Sequence, residues 1–225
     1  MDRLGLNALF VAKSLAAVLV GAAVVAFAAY SMRFGLRGLG GDLSAETYIY
    51  NPDTPFTNQA IFTHMLLGGL VMILAPLQLI ARVRHDYPRV HRLAGRLVVL
   101  AAIVVSFGGF IYIVRHGTIA GPLMDIGFAL YGALMAVAAV QTIRFARKGD
   151  VRRHNNWALR LLVLLAGSLI YRLHYVFWYL VTGGLWSNEQ LTGPFDQVQY
   201  FAFYLPYLAL LEIWIRRRKV VQRMR

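Results

Sequence analysis

The chain contains no cysteine, which excludes disulfides, thiolate metal sites and iron–sulfur clusters while saying nothing about redox compartment. It is also poor in charge. Only 15% of its 225 residues are Asp, Glu, Lys or Arg, against about 25% in a soluble domain. Catalytic signatures are missing as well: there is no HExxH zinc motif, P-loop, GxSxG elbow or GxGxxG fingerprint. Histidine, Asp, Glu, Tyr and Met are left as the possible ligands.

What is present is apolar sequence in long runs. Hydrophobic residues make up 59% of the chain, and the mean hydropathy is +0.57, both marks of a membrane protein. Six runs are long enough to cross a bilayer as helices: residues 9–32, 58–81, 91–114, 123–145, 154–181 and 197–215. The first ends in AFAA, like a signal-peptidase site, but it is too long for an ordinary leader core and reads as a spanning helix. Pro76 is expected to kink the second. Gly68, Gly95, Gly108 and Gly109 are candidates for close helix approach.

The formal net charge of +13 suggests nucleic acid at first sight, but Lys and Arg fall between apolar runs and at the C-terminus rather than on one soluble face. Topology and anionic lipid headgroups account for them better. With six spans, the basic stretches 82–92, 144–153 and 216–225 share one side, so the positive-inside rule puts both termini in the cytoplasm. Residues 33–57, with Arg33, Arg37, Tyr48 and Tyr50, and residues 182–196 form external loops; 216–225 is a basic tail. The chain reads as one all-α, polytopic six-helix bundle.

Ionisable groups inside the apolar runs carry the functional question. His64 and Arg82 are 18 residues apart, as are His154 and Arg172; five full turns put each pair on one helix face, about 27 Å apart. One reading is an inverted repeat with polar sites at its interface, as in secondary transporters; the other is that each pair marks the two interfacial ends of a helix. Arg82 fits the second. Arg172 fits an interior role, because Val176, Phe177, Trp178 and Leu180 still separate it from water.

A further reading is bis-histidine haem, which needs imidazoles from different helices at matched depth and small residues nearby. His91 and His154 match near the inner face; His64 matches His174, with His116 as another outer candidate. Arg92, Arg153 or Arg172 would pair with propionates. Tyr171, Tyr175, Tyr200 and Tyr204 offer either an outer quinone pocket or aromatic packing. Trp157, Trp178, Trp186 and Trp214 suit interfacial belts, Asp125 a helix start and His85 a solvated loop.

The segments HMLLGGLVMILAPLQLIARVRHDYPRVHRLAGRL and RKGDVRRHNNWALRLLVLLAGSLIYRL resemble the bacterial multi-pass membrane proteins of domain of unknown function 2306. His64, Gly68, Gln78, Arg82, His91, Arg92, Gly95, His154, Trp157, Arg160 and Arg172 sit on that pattern. The resemblance implies a multi-pass protein of the bacterial cytoplasmic membrane and no activity. A looser likeness is to two-haem transmembrane cytochromes b, whose third and fifth helices share one haem, as His91 and His154 would here. Their other haem joins the second and fourth helices; this sequence departs there, with His64 but no His inside the fourth.

These readings converge on a membrane redox protein using haem b or a quinone. In it His91 and His154 are inner ligands, His64 with His174 or His116 outer ones, and Arg172 and Arg92 anion partners. The alternatives are a small transporter or lipid- or anion-binding protein centred on His64 and Arg172, or a structural subunit of a larger membrane complex. Expected partners are membrane lipids, a quinone or redox partner, and no nucleic acid.

Overall fold

The computed structural model describes residues 3–223, and the surroundings of side chains over 11–218. Residues 224 and 225 of the expected tail lie outside the described residues. The described chain is helical: α1 (Arg3–Gly40), α2 (Pro55–Leu77), α3 (Ala81–Asp86), α4 (Pro88–His116), α5 (Pro122–Arg147), α6 (Val151–Thr182), α7 (Pro194–Ala202) and α8 (Leu205–Arg223). Six stretches are long and apolar enough to cross a membrane, the last of them made of α7 and α8 together.

Proline sets most of the boundaries. α2, α4, α5 and α7 each begin with one, where its missing N–H costs nothing and its fixed φ already suits the first turn. Pro206, second residue of α8, cannot bond back to Ala202, so the sixth span breaks there into α7 and α8. Pro76 falls in the last turn of α2 and ends the helix rather than kinking it. α6 opens on Asp150, whose carboxylate accepts from the Arg153 amide at 2.9 Å, and closes on Gly183 in the left-handed region.

Two expectations change. The first helix runs on to Gly40, so Arg33 and Arg37 are helical and the loop shrinks to 41–54. Arg37 pairs with both Glu46 carboxylate oxygens, at 2.5 and 2.7 Å, which cancels one of the positive charges at this end of the bundle. The Ser44 amide, at 2.7 Å, holds the Asp42 carboxyl below its usual range where this loop begins. The supposed equivalence of His64–Arg82 with His154–Arg172 also fails. α2 stops at Leu77, and Arg82 sits exposed on α3, 3.4 Å from Asp86; only the α6 pair shares one continuous helix.

The core is a seam among α2, α4, α5, α6 and the α7–α8 junction, built on Val98, Ala102, Ala139, Leu164, Phe203 and Tyr204. α1 packs against α2 at the edge. Glycines decide how closely neighbours approach. A Cβ on Gly108 would lie 2.6 Å from the Ala60 carbonyl oxygen of α2, one on Gly69 2.7 Å from the Ala28 oxygen of α1, and one on Gly127 2.8 Å from the Tyr200 oxygen of α7. Gly68 has open space instead. Gly108→Ala is therefore expected to destabilise the protein by about 1–3 kcal/mol through forced helix separation. Gly68→Ala should be neutral, or stabilising by about 0.5–1 kcal/mol. Thermal unfolding of both variants in detergent measures the difference.

Candidate functional site

One face of α6 organises two separate sites. His154, Ala158, Leu161, Leu165, Ser168 and Arg172 follow a 4-3-4-3-4 spacing, which keeps them in line along the helix. The first four line a cavity at the end bearing the basic loops, and the last three line a pocket toward the other end. Leu165 is the one residue common to both, and it is buried.

The basic-end cavity has a volume of about 730 Å³. His91 reaches it from the first turn of α4 and His154 from the first turn of α6. Gly95 and Ala158, one turn further along each helix, also line it, and the Gln78 amide lies over Gly95, where a Cβ would be 3.2 Å from its oxygen. Arg84, Arg92, Arg96, Arg147 and Arg218 stand around it, while Val98, Leu161 and Leu162 form an apolar floor. Among the described residues no carboxylate lines it. Trp214 and Arg218 close the α8 side, the guanidinium 4.1 Å from the indole centre. The sequence reads these two as interfacial belt and loose tail; in the fold they are part of the cavity wall.

Hydrogen bonding distinguishes the two histidines. His154 Nδ1 is 3.0 Å from the Thr142 carbonyl oxygen. A carbonyl only accepts, so Nδ1 carries the proton and Nε2 keeps its lone pair. His91 Nδ1 and Gln78 Nε2 are buried without a hydrogen-bonding partner. Unpaired buried polar atoms are costly, and both belong to residues of this cavity.

The opposite pocket is smaller, about 160 Å³. His64 enters it from α2. The Gly109 backbone lies so close that a Cβ there would be 3.3 Å from the ring, and His64 Nδ1 donates to the Val105 carbonyl at 2.6 Å. Arg172 donates to the Ser168 carbonyl and hydroxyl oxygens at 2.9 and 3.0 Å, with its guanidinium 4.6 Å from the Phe27 ring centre. Tyr131 also lines the pocket, its hydroxyl donating to the Leu164 carbonyl at 2.5 Å.

The structure does not gather the remaining histidines here. His174 faces away, its Nδ1 3.1 Å from the Gln199 amide oxygen and its Nε2 2.7 Å from the Tyr207 hydroxyl. His116 sits at the end of α4, 2.8 Å from the Thr54 hydroxyl. Neither lines the pocket of His64. Of the four tyrosines, only Tyr171 does. Tyr204 is buried with its hydroxyl on the Gly127 carbonyl at 3.0 Å, Tyr200 bonds the Leu191 carbonyl, and Tyr175 bonds Asp196.

Two acidic residues organise the surroundings without drawing attention in the sequence. Asp196 is fully buried and accepts from Tyr175, Ser187, Asn188 and Gly193. Glu212 accepts from Arg160 Nε at 2.5 Å and ties α8 to α6. The only advance signal for Glu212 is a lone acid in the final apolar run.

Among the described residues no three His, Asp or Glu side chains are grouped to hold a metal ion. No curated protein and no solved structure matches the chain. Residues 61–215, from α2 into α8, match the family described as predicted membrane protein (DUF2306). The chain belongs to that family.

Proposed function

We propose that the protein is a membrane electron carrier whose basic-end cavity takes one b-type haem, with His91 and His154 as the residues that would hold its iron. The carrying observation is that both imidazoles line one large cavity that also holds five arginines and, among the described residues, no carboxylate. His154 suits ligation, because its Nδ1–H bond to Thr142 orients the ring and leaves Nε2 available. His91 lacks a matching acceptor, so its ring gains a partner or turns when it ligates. The small residues Gly95 and Ala158 would lie beside the bound group once the Gln78 amide moved aside, Arg92 and its neighbours would neutralise propionates, and Leu161 and Leu165 would keep water from the floor. Haem supplies reversible one-electron transfer at iron. By the positive-inside rule the cavity opens toward the cytoplasm of a bacterial cell.

One observation favours a second reading. The guanidinium groups stand around an apolar floor, and a phosphate-bearing anionic lipid would place its headgroup on the former and its chains on the latter. Absorption spectra of protein purified from haem-replete cells, oxidised and dithionite-reduced, decide between the two. The expected result is a Soret band with sharpened bands on reduction, lost in His91→Ala and in His154→Ala. A colourless protein that retains lipid phosphate, and releases it in the Arg92→Ala/Arg96→Ala variant, overturns the haem reading in favour of lipid binding.

A further inference from the structure

We propose that the smaller pocket binds a small organic carboxylate together with one proton, the carboxylate on Arg172 and the proton at His64. This does not depend on the haem reading, since the two sites share only Leu165.

The first argument is charge. Arg172, exposed on a spanning helix, lines this pocket together with His64, three serines and two tyrosines, and among the described residues no carboxylate lies within ion-pairing distance of it. A cation at membrane depth needs a counter-charge or a route to water. Snorkelling outward would be such a route, but the guanidinium is turned back along α6 onto Ser168, one turn deeper, and stacks on Phe27. One terminal nitrogen is engaged with Ser168, so Nε and the other terminal nitrogen remain for a fork-like carboxylate contact.

Proton uptake follows from the His64 tautomer. Its Nδ1 must be the donor to Val105, so in the neutral ring Nε2 carries a bare lone pair, and His64 lines the pocket. A carboxylate oxygen arriving there meets lone pair against lone pair unless a proton lies between them. Whether that proton resides on Nε2 or on the ligand oxygen, the complex holds one more than its separated parts. The other titratable groups facing His64 are Tyr131 of α5 and Arg172 and Tyr171 of α6; α1 contributes Ser31, and α4 contributes none. Tyr131 is committed to Leu164, and Tyr171 donates to Tyr175 at 3.4 Å.

Volume sets the ligand class. The pocket holds about 160 Å³, close to the roughly 150 Å³ void known to accept benzene, and Phe27, Phe128, Phe203 and Tyr171 supply aromatic walls. A single-ring or short branched-chain carboxylate fits.

Benzoate is the probe, titrated calorimetrically into purified protein in detergent and in nanodiscs, with benzyl alcohol as the uncharged isostere. Affinity is expected to tighten about tenfold for each pH unit lowered from about pH 8 to about pH 6, because the complex carries one extra proton. Arg172→Gln should weaken binding about 10- to 100-fold, with Arg172→Lys between it and wild type. His64→Gln should bind with no pH slope. Benzyl alcohol binding as tightly, no benzoate binding, or a slope that persists in His64→Gln overturns the proposal. So does displacement of benzoate by phosphatidylglycerol in the nanodisc, which would make a lipid headgroup the partner of Arg172. Thermal unfolding of each variant separates lost binding from lost fold.

Discussion

Asp196→Ala is expected to destabilise the protein by about 3–5 kcal/mol and to open the 183–193 loop to limited proteolysis. The carboxylate is fully buried, yet it satisfies four donors: the Tyr175 and Ser187 hydroxyls at 2.7 Å each, and the Gly193 and Asn188 amides at 2.9 and 3.2 Å. A donor left buried and unpaired costs about 1–3 kcal/mol, which applies in full to the Gly193 amide; the Tyr175 and Ser187 hydroxyls are half-buried and can rotate, and Asn188 is exposed, so they lose less. Asp196→Asn keeps one accepting oxygen but turns an NH2 against the other donors, so about half the loss is expected. Denaturant unfolding in detergent reads the magnitude, and a loss below about 1 kcal/mol for the alanine variant would show that the loop does not depend on this clasp. The consequence reaches the bundle, since Tyr175 belongs to α6 and Asp196 to α7.

Arg160→Met alone should cost about 2–4 kcal/mol, whereas Arg160→Met with Glu212→Met should return most of it. Arg160 and Glu212 are 2.5 Å apart, with 19% and 35% of their side chains exposed, and the guanidinium lies 4.5 Å from the Trp157 ring centre. Removing one partner strands the other charge. Fully buried pairs lose about 3–5 kcal/mol that way, and replacing both partners with apolar groups is often neutral or better; the partial exposure of Glu212 reduces the penalty. Unfolding midpoints of the two single variants and the double variant form the cycle that isolates the pair. Additive losses would mean that α8 is held by its apolar contacts alone.

Much of the bundle was legible because its signals are local. Run length identified all six spanning segments, whereas the starts at Pro55, Pro88, Pro122 and Pro194 lie one to three residues before the apolar runs and were not read from them. Errors arose where a local signal had two meanings. Arg33 and Arg37 read as loop because glycines surround them, yet helical hydrogen bonding continues to Gly40 and Glu46 receives the charge of Arg37. Gly68 read as a close-approach residue, yet it has open space, and it is its neighbour Gly69 that faces α1, since one residue is a rotation of about 100° on a helix.

The sites were half legible. Depth along a helix can be counted, and the matched depth of His91 and His154 corresponds to a shared cavity. Azimuth between helices cannot be counted, so His174 was matched in depth to His64 although it bonds Gln199 and Tyr207 instead.

By itself, the order of residues determined that this chain crosses a membrane, how many apolar stretches do so, and which positive groups gather at one end, because each depends on transfer energies and backbone constraints of neighbouring residues. Tertiary packing decided which imidazoles share a space, that Leu165 divides two sites on one face of α6, and that Asp196 and Glu212 have partners on other elements. Those outcomes depend on the relative rotation and spacing of helices, which the close contacts at Gly69, Gly108 and Gly127 set only once the bundle has formed.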